Sequence, residues 1–311
     1  MQWPEKTVEI QQLNDSLFED KGITVSMLRE DLLHPDISGN KWRKLKYNLL
    51  RAEQKQCEAI LTFGGAFSNH IAATAAAGKA FGVKTVGIIR GEDADLSNST
   101  LAYASDCGME IHCVSRDVYK QKNESAYRHK LRQRFGNIWI VPEGGANYEG
   151  VNGCTEILTE QTRDYNIIAV SCGTGTTLAG MALSLQPHQQ LLGFPALKGK
   201  GYLRKEVFQH LKWFLMDDAL AEEYLEDVQF HEAYHFGGFG KMDPTLVQFM
   251  NSFYQKHGIR LDGLYTGKML FGLYDLVQAD AFQQGDKLLV VHTGGLQGNK
   301  GLESRYGIRF D

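Results

Sequence analysis

Ser171-Cys172-Gly173-Thr174-Gly175-Thr176-Thr177-Leu178-Ala179-Gly180 joins a strand to a helix through a glycine turn. An apolar, β-rich run over 167–170 leads into it. A helical pattern opens near Thr176 and is expected to continue to Leu185. The glycines let the backbone curl so that successive N–H groups point inward. Threonine hydroxyls add donors, and the positive end of the helix favours an anion. A phosphate cup and an ordinary glycine-rich turn both suit this stretch. A Walker loop does not, because no Gly-Lys-Ser/Thr follows, and the GxGxxG spacing of a dinucleotide site is absent.

The same strand–glycine–helix grammar recurs along the chain. Strands are expected over 24–28, 60–63, 85–89, 110–114, 138–141, 191–194 and 288–291. Helices are expected over 41–54, 69–81, 97–106, 125–135, 203–214, 244–256 and 268–279. Such alternation means crossover units, and the near-continuous apolar strands mean sheets covered on both faces. The expected fold class is α/β: two domains with open, mostly parallel twisted sheets flanked by helices. Residues 56–150 hold a nearly complete set of βα units and are read as a small domain inserted in a larger one formed by 1–55 and 151–311. Four strands end in glycine clusters: Gly64-Gly65, Gly144-Gly145, Gly173–Gly175 and Gly294-Gly295. Ligands of open α/β sheets bind beyond the carboxyl ends of strands, so the four point to one crevice.

Bulk properties exclude several classes. The 311 residues carry a net charge of −4, which leaves no global basic field for nucleic acid. No apolar run approaches a membrane span, and Met1–Lys6 offers no signal-peptide core. Five scattered cysteines, never spaced as CxxC, argue against a disulfide framework or a zinc site and suit a reducing cytoplasm.

Four further stretches could carry chemistry. Ser38-Gly39-Asn40-Lys41-Trp42-Arg43-Lys44-Leu45-Lys46-Tyr47 puts a turn-forming trio ahead of a basic helix, with Lys41 at its start. The helix dipole there disfavours an ammonium and favours the neutral amine that attacks a carbonyl. Trp42, Leu45 and Leu49 recur at helical spacing and fix that helix to a packed surface. Alone, such a lysine also reads as an ordinary solvated residue. Thr62-Phe63-Gly64-Gly65-Ala66-Phe67-Ser68-Asn69-His70 places Ser68 and Asn69 at a helix start, where they could grip a carboxylate or a ring oxygen, or simply cap the helix. His70 reads more readily as a hydrogen-bonded structural histidine than as a base. Leu261-Asp262-Gly263-Leu264-Tyr265-Thr266-Gly267-Lys268 sets a phenol beside a hydroxyl before another helix, and His292-Thr293-Gly294-Gly295 ends the last strand. A lysine primed for a Schiff base, a phosphate cup without a nucleotide signature, and clustered hydroxyls together suggest pyridoxal phosphate.

These motifs, in this order, resemble the pyridoxal-phosphate enzymes of the 1-aminocyclopropane-1-carboxylate deaminase and D-cysteine desulfhydrase family, of the tryptophan synthase β-subunit fold type. The resemblance runs from about Asp31 to Gly295. It implies that Lys41 carries the cofactor and later acts on the substrate α-proton. Lys44 would meet the phosphate with Gly173, Thr174, Gly175, Thr176 and Thr177. Asn69 would bond the cofactor's 3′-oxygen, and Ser68 would hold the substrate carboxylate or relay a proton. Tyr265 would stand near the substrate as acid or base, and Thr266 would face the pyridine nitrogen. A homodimer and a small amino-acid substrate are implied as well. Two departures matter. The deaminases have glutamate at the position of Thr266, and a hydroxyl sustains the ring's electron sink less well, which favours β-elimination. A Tyr-Gly pair of the family has its counterpart in Phe239-Gly240, which removes one acid/base group. The expected activity is D-cysteine desulfhydrase-like, giving pyruvate, ammonia and sulfide. Cyclopropane deamination and a catalytically weak cofactor-binding protein are the alternatives.

Overall fold

The computed structural model describes residues 3–310. Ten strands form two sheets: β1 (Ile10–Gln12), β2 (Thr24–Leu28), β3 (Ala59–Gly65), β4 (Lys84–Arg90), β5 (Glu110–Val114), β6 (Ile138–Val141), β7 (Ile167–Cys172), β8 (Gln190–Pro195), β9 (Val228–Phe230) and β10 (Lys287–Val291). The larger sheet has the order β1-β2-β10-β7-β8-β9 and the smaller β5-β4-β3-β6. Only β1 against β2 is antiparallel. The fold is therefore α/β with mostly parallel sheets flanked by helices. Every strand anticipated from the sequence is present. The two that were not, β1 and β9, are three-residue edge strands with glutamine in the run, too short for a periodic signal.

Alternate residues of the central strands feed opposite faces. Ile168, Val170, Leu289 and Val291 join one apolar cluster, and Ile167, Ala169, Leu288 and Val290 the other. This is the two-faced burial that continuous apolar strands require. The helix Asn40–Gln54, hereafter the lysine helix, packs Trp42, Leu45 and Leu49 against Ala73, Ala76 and Ala77 of the helix Asn69–Phe81. Helix ends follow local chemistry. Asn98 caps the helix Ser99–Asp106, so that helix starts two residues later than the pattern suggested. The helix Thr176–Ala182, hereafter the cup helix, stops three residues early. There the Ser184 hydroxyl bonds the carbonyls of Gly180 and Met181, 3.2 Å from each. No helix among the described residues is long and apolar enough to cross a membrane.

Both sheets reverse direction where the glycine clusters lie. In the larger sheet the chain steps from β7 to β8 to β9, while β10 lies on the other side of β7. In the smaller it steps from β3 to β4 to β5, and β6 lies on the other side of β3. Those reversals open a crevice beyond the carboxyl ends of β7 and β10, and of β3 and β6. Gly64-Gly65 end β3 itself, and the segments leaving β6, β7 and β10 carry the other three clusters.

Candidate active site

The lysine helix begins at a contact only glycine permits. Gly39 has φ +63°, and a Cβ on it would lie 1.9 Å from the Thr293 carbonyl oxygen at the end of β10. The Asn40 N–H donates to that same carbonyl at 3.3 Å. The Asn40 side chain then ties the helix to the cup, donating from Nδ2 to Thr177 Oγ1 at 2.8 Å. Lys41 Nζ donates to Asn40 Oδ1 at 2.7 Å. The lysine is thus two hydrogen bonds from a cup hydroxyl. Further along, Arg43 grips the fully buried Glu30 with Nε 3.0 Å from Oε2 and Nη2 2.7 Å from Oε1, which fixes the helix axis.

Lys41 is half-buried, and its ammonium is pushed down to about 7. Burial is the main cause and the charge of Lys44 the second, so desolvation and a like charge favour the neutral amine. Lys44 is buried one turn on and donates from Nζ to the Gly144 carbonyl at 3.2 Å. Burial lowers it too. His70 is buried with Nε2 2.9 Å from Thr62 Oγ1, and burial and the two lysines hold it well below the usual imidazole range. It is a neutral structural histidine. Since the neutral amine is the nucleophile, capture of a small aldehyde by Lys41 should rise with pH and level off above about 7. Stopped-flow rates with pyridoxal would report this directly; a midpoint near the free-lysine value would contradict the assigned environment.

The 173–177 turn draws its residues together. Gly175 adopts φ +79°, and a Cβ there would press on Val207 at 3.1 Å. Thr174 Oγ1 lies 2.9 Å from Thr176 Oγ1. Thr176 is wholly buried, and its hydroxyl also lies 3.4 Å from His210 Nε2. Across the crevice, a Cβ on Gly144 would stand 3.0 Å from Thr174 Cγ2. The loop after β6 therefore closes directly on the cup.

Ser68 caps its helix, Oγ accepting from the Ile71 N–H at 3.3 Å, and keeps its O–H proton to donate. Asn69 accepts at Oδ1 from Gln297 Nε2 at 2.6 Å, while its Nδ2 would lie 2.7 Å from a Cβ on Gly295. That amide faces the loop that leaves β10. Tyr265 hangs over the first cup glycine, Oη 3.2 Å from where a Gly173 Cβ would be. Burial first, then the Asp262 carboxylate, raise the phenol above its ordinary range, so it stays protonated and donates. The Phe239 ring lies 5.9 Å from the Tyr265 ring, centroid to centroid.

Thr266 is held within its own turn. It is wholly buried, donates from Oγ1 to Asp262 Oδ2 at 2.6 Å, and accepts from the Asp262 N–H at 3.0 Å. Asp262 also accepts the N–H groups of Leu264, Tyr265 and Thr266 at 3.0, 2.8 and 2.9 Å. The Thr266 hydroxyl helps to organise the turn that presents Tyr265. The Asp-x-x-Tyr-Thr pattern suits either orientation of that hydroxyl. Asn40 and His210 were also unassigned; the first is visible in the lysine motif, whereas the second carries no local signal.

A phosphorylated aldehyde fits this donor set. Asp15, Asn98, Ser115, Asn147, Asp217 and Asp243 cap six helices, whereas the lysine helix and the cup helix have no side-chain cap, as is also true of the helices Ser125–Phe135, Tyr202–Leu215, Thr266–Gln278 and Asn299–Tyr306. The first-turn N–H groups of the cup helix are therefore left for an external anion, with the Lys44 ammonium in the same buried region.

Comparison with known proteins points the same way. The family model described as "Pyridoxal-phosphate dependent enzyme" matches residues 8–294. The bifunctional D-cysteine desulfhydrase/1-aminocyclopropane-1-carboxylate deaminase, mitochondrial, of Arabidopsis thaliana is 28% identical over 303 residues, spanning 89% of this chain and 73% of its own. D-cysteine desulfhydrase of Serratia proteamaculans is 28% identical over 292 residues, spanning 88% of this chain and 87% of its own. A solved structure of an ACC deaminase homologue superposes with a TM-score of 0.81 at 27% identity, over 97% of this chain and 95% of that one.

Proposed function

The chain belongs to the family of pyridoxal-phosphate dependent enzymes, and from that premise we propose that it is a lyase eliminating the β-substituent of a small amino acid, with D-cysteine as the leading substrate. The observation that carries this reading is the relay from Lys41 Nζ through the Asn40 side chain to Thr177 in the cup. Bound pyridoxal phosphate supplies a carbonyl carbon for amines and a sink for the electron pair released at the substrate α-carbon. In this reading Lys44, the hydroxyl of Thr174 and the N–H groups following Gly173 hold the phosphate. Asn69 Nδ2 steadies the ring oxygen, and Ser68 with its helix start binds the substrate carboxylate. Lys41 Nζ removes the α-proton. Tyr265, kept protonated, donates to the departing sulfur. The balance is D-cysteine and water to pyruvate, ammonia and hydrogen sulfide. The 56–150 unit closes over the substrate and excludes water during elimination. The same reading makes the enzyme a cytoplasmic homodimer; its five unpaired thiols suit a reducing compartment.

Incubation with D-cysteine should release sulfide and pyruvate in equal amounts, and 1-aminocyclopropane-1-carboxylate should be turned over far more slowly. Phe239 in place of a phenol beside Tyr265 favours that order, since cyclopropane opening has lost one acid/base group. Turnover of the cyclopropane with none of D-cysteine would reverse it. Cofactor binding without turnover of any amino acid would leave a catalytically weak binding protein.

A further inference from the structure

The helix Tyr202–Leu215 runs behind the cup. Its Val207 side chain and Glu206 stem lie 3.1 and 3.4 Å from where a Cβ on Gly175 would be. One turn further, His210 is 5% exposed and places Nε2 2.8 Å from the Thr174 carbonyl oxygen and 3.4 Å from Thr176 Oγ1. A carbonyl only accepts, so Nε2 must carry the proton and Nδ1 the lone pair. Nδ1 is buried and has no hydrogen-bond partner. That cost is tolerated where the other nitrogen has a task.

The task follows from peptide geometry. The described chain has no cis bonds, so the Thr174 carbonyl and the Gly175 N–H of the same planar unit point in opposite directions. A carbonyl drawn outward to His210 turns that N–H inward, into the cup. Left free, this carbonyl could rotate inward and present oxygen to an anion. Gly175, with its left-handed φ and no Cβ, offers little resistance to such a flip. The hydroxyls of Thr176 and Thr174 complete a line from His210 to the cup's rim.

We propose that His210 is a positioning residue for phosphate recognition: by holding the Thr174 carbonyl from behind, it fixes the Gly175 N–H as a phosphate donor. This rests on the reading of 173–177 as the phosphate cup. Burial, with Lys44 adding to it, lowers the imidazole to about 4, so His210 stays neutral in the working range and adds no charge of its own.

The test separates phosphate recognition from packing by comparing two ligands. The full-length chain, stripped of cofactor by dialysis against hydroxylamine, is titrated with pyridoxal phosphate and with pyridoxal, following tryptophan fluorescence. His210→Phe and His210→Asn should weaken pyridoxal phosphate by about ten-fold, the effect of one hydrogen bond, and leave pyridoxal unchanged. His210→Gln, whose amide reaches as far as Nε2, should restore most of the loss. An unchanged ratio of the two affinities in the Phe and Asn variants overturns the proposal, as does an equal fall for both ligands, which would mean packing alone. Should His210→Phe fail to fold, the Asn and Gln pair decides. A wild-type chain that fails to prefer pyridoxal phosphate over pyridoxal sinks the cup reading itself, and this role with it.

Discussion

Lys41→Ala is expected to lower turnover by about 10⁴-fold, the upper range for loss of a positioned proton-transfer group, and to abolish covalent retention of the cofactor. The protein should nonetheless fold, because the side chain is half-buried and its charge is disfavoured where it sits. The measurement is mass spectrometry after borohydride reduction of the loaded protein, alongside a sulfide assay. Wild type should carry one cofactor mass on the peptide containing Lys41, and the variant none. The two other buried amines make the result informative. Lys44 is a turn away, and Lys268, pushed down to about 8, is held by the carbonyls of His235 and Gly238, each at 2.9 Å. A lysine gripped by two carbonyls is poorly placed to attack. A cofactor adduct on Lys44 or Lys268 in the wild-type protein would falsify the assignment of Lys41.

Gly39→Ala should be the most damaging single methyl in the site. It forces a β-carbon into the left-handed region, and that carbon would lie 1.9 Å from the Thr293 carbonyl oxygen, far inside any contact distance. Backbone cannot swing aside as a side-chain tip can. The start of the lysine helix must move off β10, and with it the bonds Asn40 makes to Thr293 and Thr177. We expect a loss of about 3 kcal/mol in urea unfolding, combining left-handed strain with a displaced backbone contact, and reduced cofactor retention. Gly82→Ala is the matched control. Its φ is +68°, yet nothing lies within 4 Å of the added carbon. It should cost about 1 kcal/mol, the strain alone. Equal losses at the two positions would mean that the contact with Thr293 is immaterial.

The α/β fold was legible because its strands are buried on both faces and so read as unbroken apolar runs. The glycine clusters marked the strand ends that meet at the crevice, since close approach and left-handed turns leave glycine little competition. Lys41, Lys44, Ser68, Asn69, Tyr265 and the 173–177 turn stand out in the sequence because they follow glycine-containing segments, and the roles given to them are those proposed above. The environment of Lys41 was read less well. Its lowered affinity for a proton arises mainly from burial and from Lys44, which depend on tertiary packing. The bond between Thr266 and Asp262 is not legible in the sequence, because nothing in a linear pattern says which way a short hydroxyl turns once a carboxylate four residues earlier can take it. His210 lay beyond reach altogether, 36 residues from the carbonyl it bonds and on a helix with an unremarkable pattern.

The absence of side-chain caps on the lysine and cup helices carries a consequence for the life of the protein in a cell. At the cup helix the first-turn amides have no side-chain acceptor until a ligand arrives, whereas the helices capped by Asp15 and Asp243 carry their own. Vitamin supply would then govern more than catalytic competence. A chain made during scarcity would have looser ends around its central cleft, open more often, and meet proteases sooner than one made in plenty, so its abundance would follow nutritional state without any dedicated regulator.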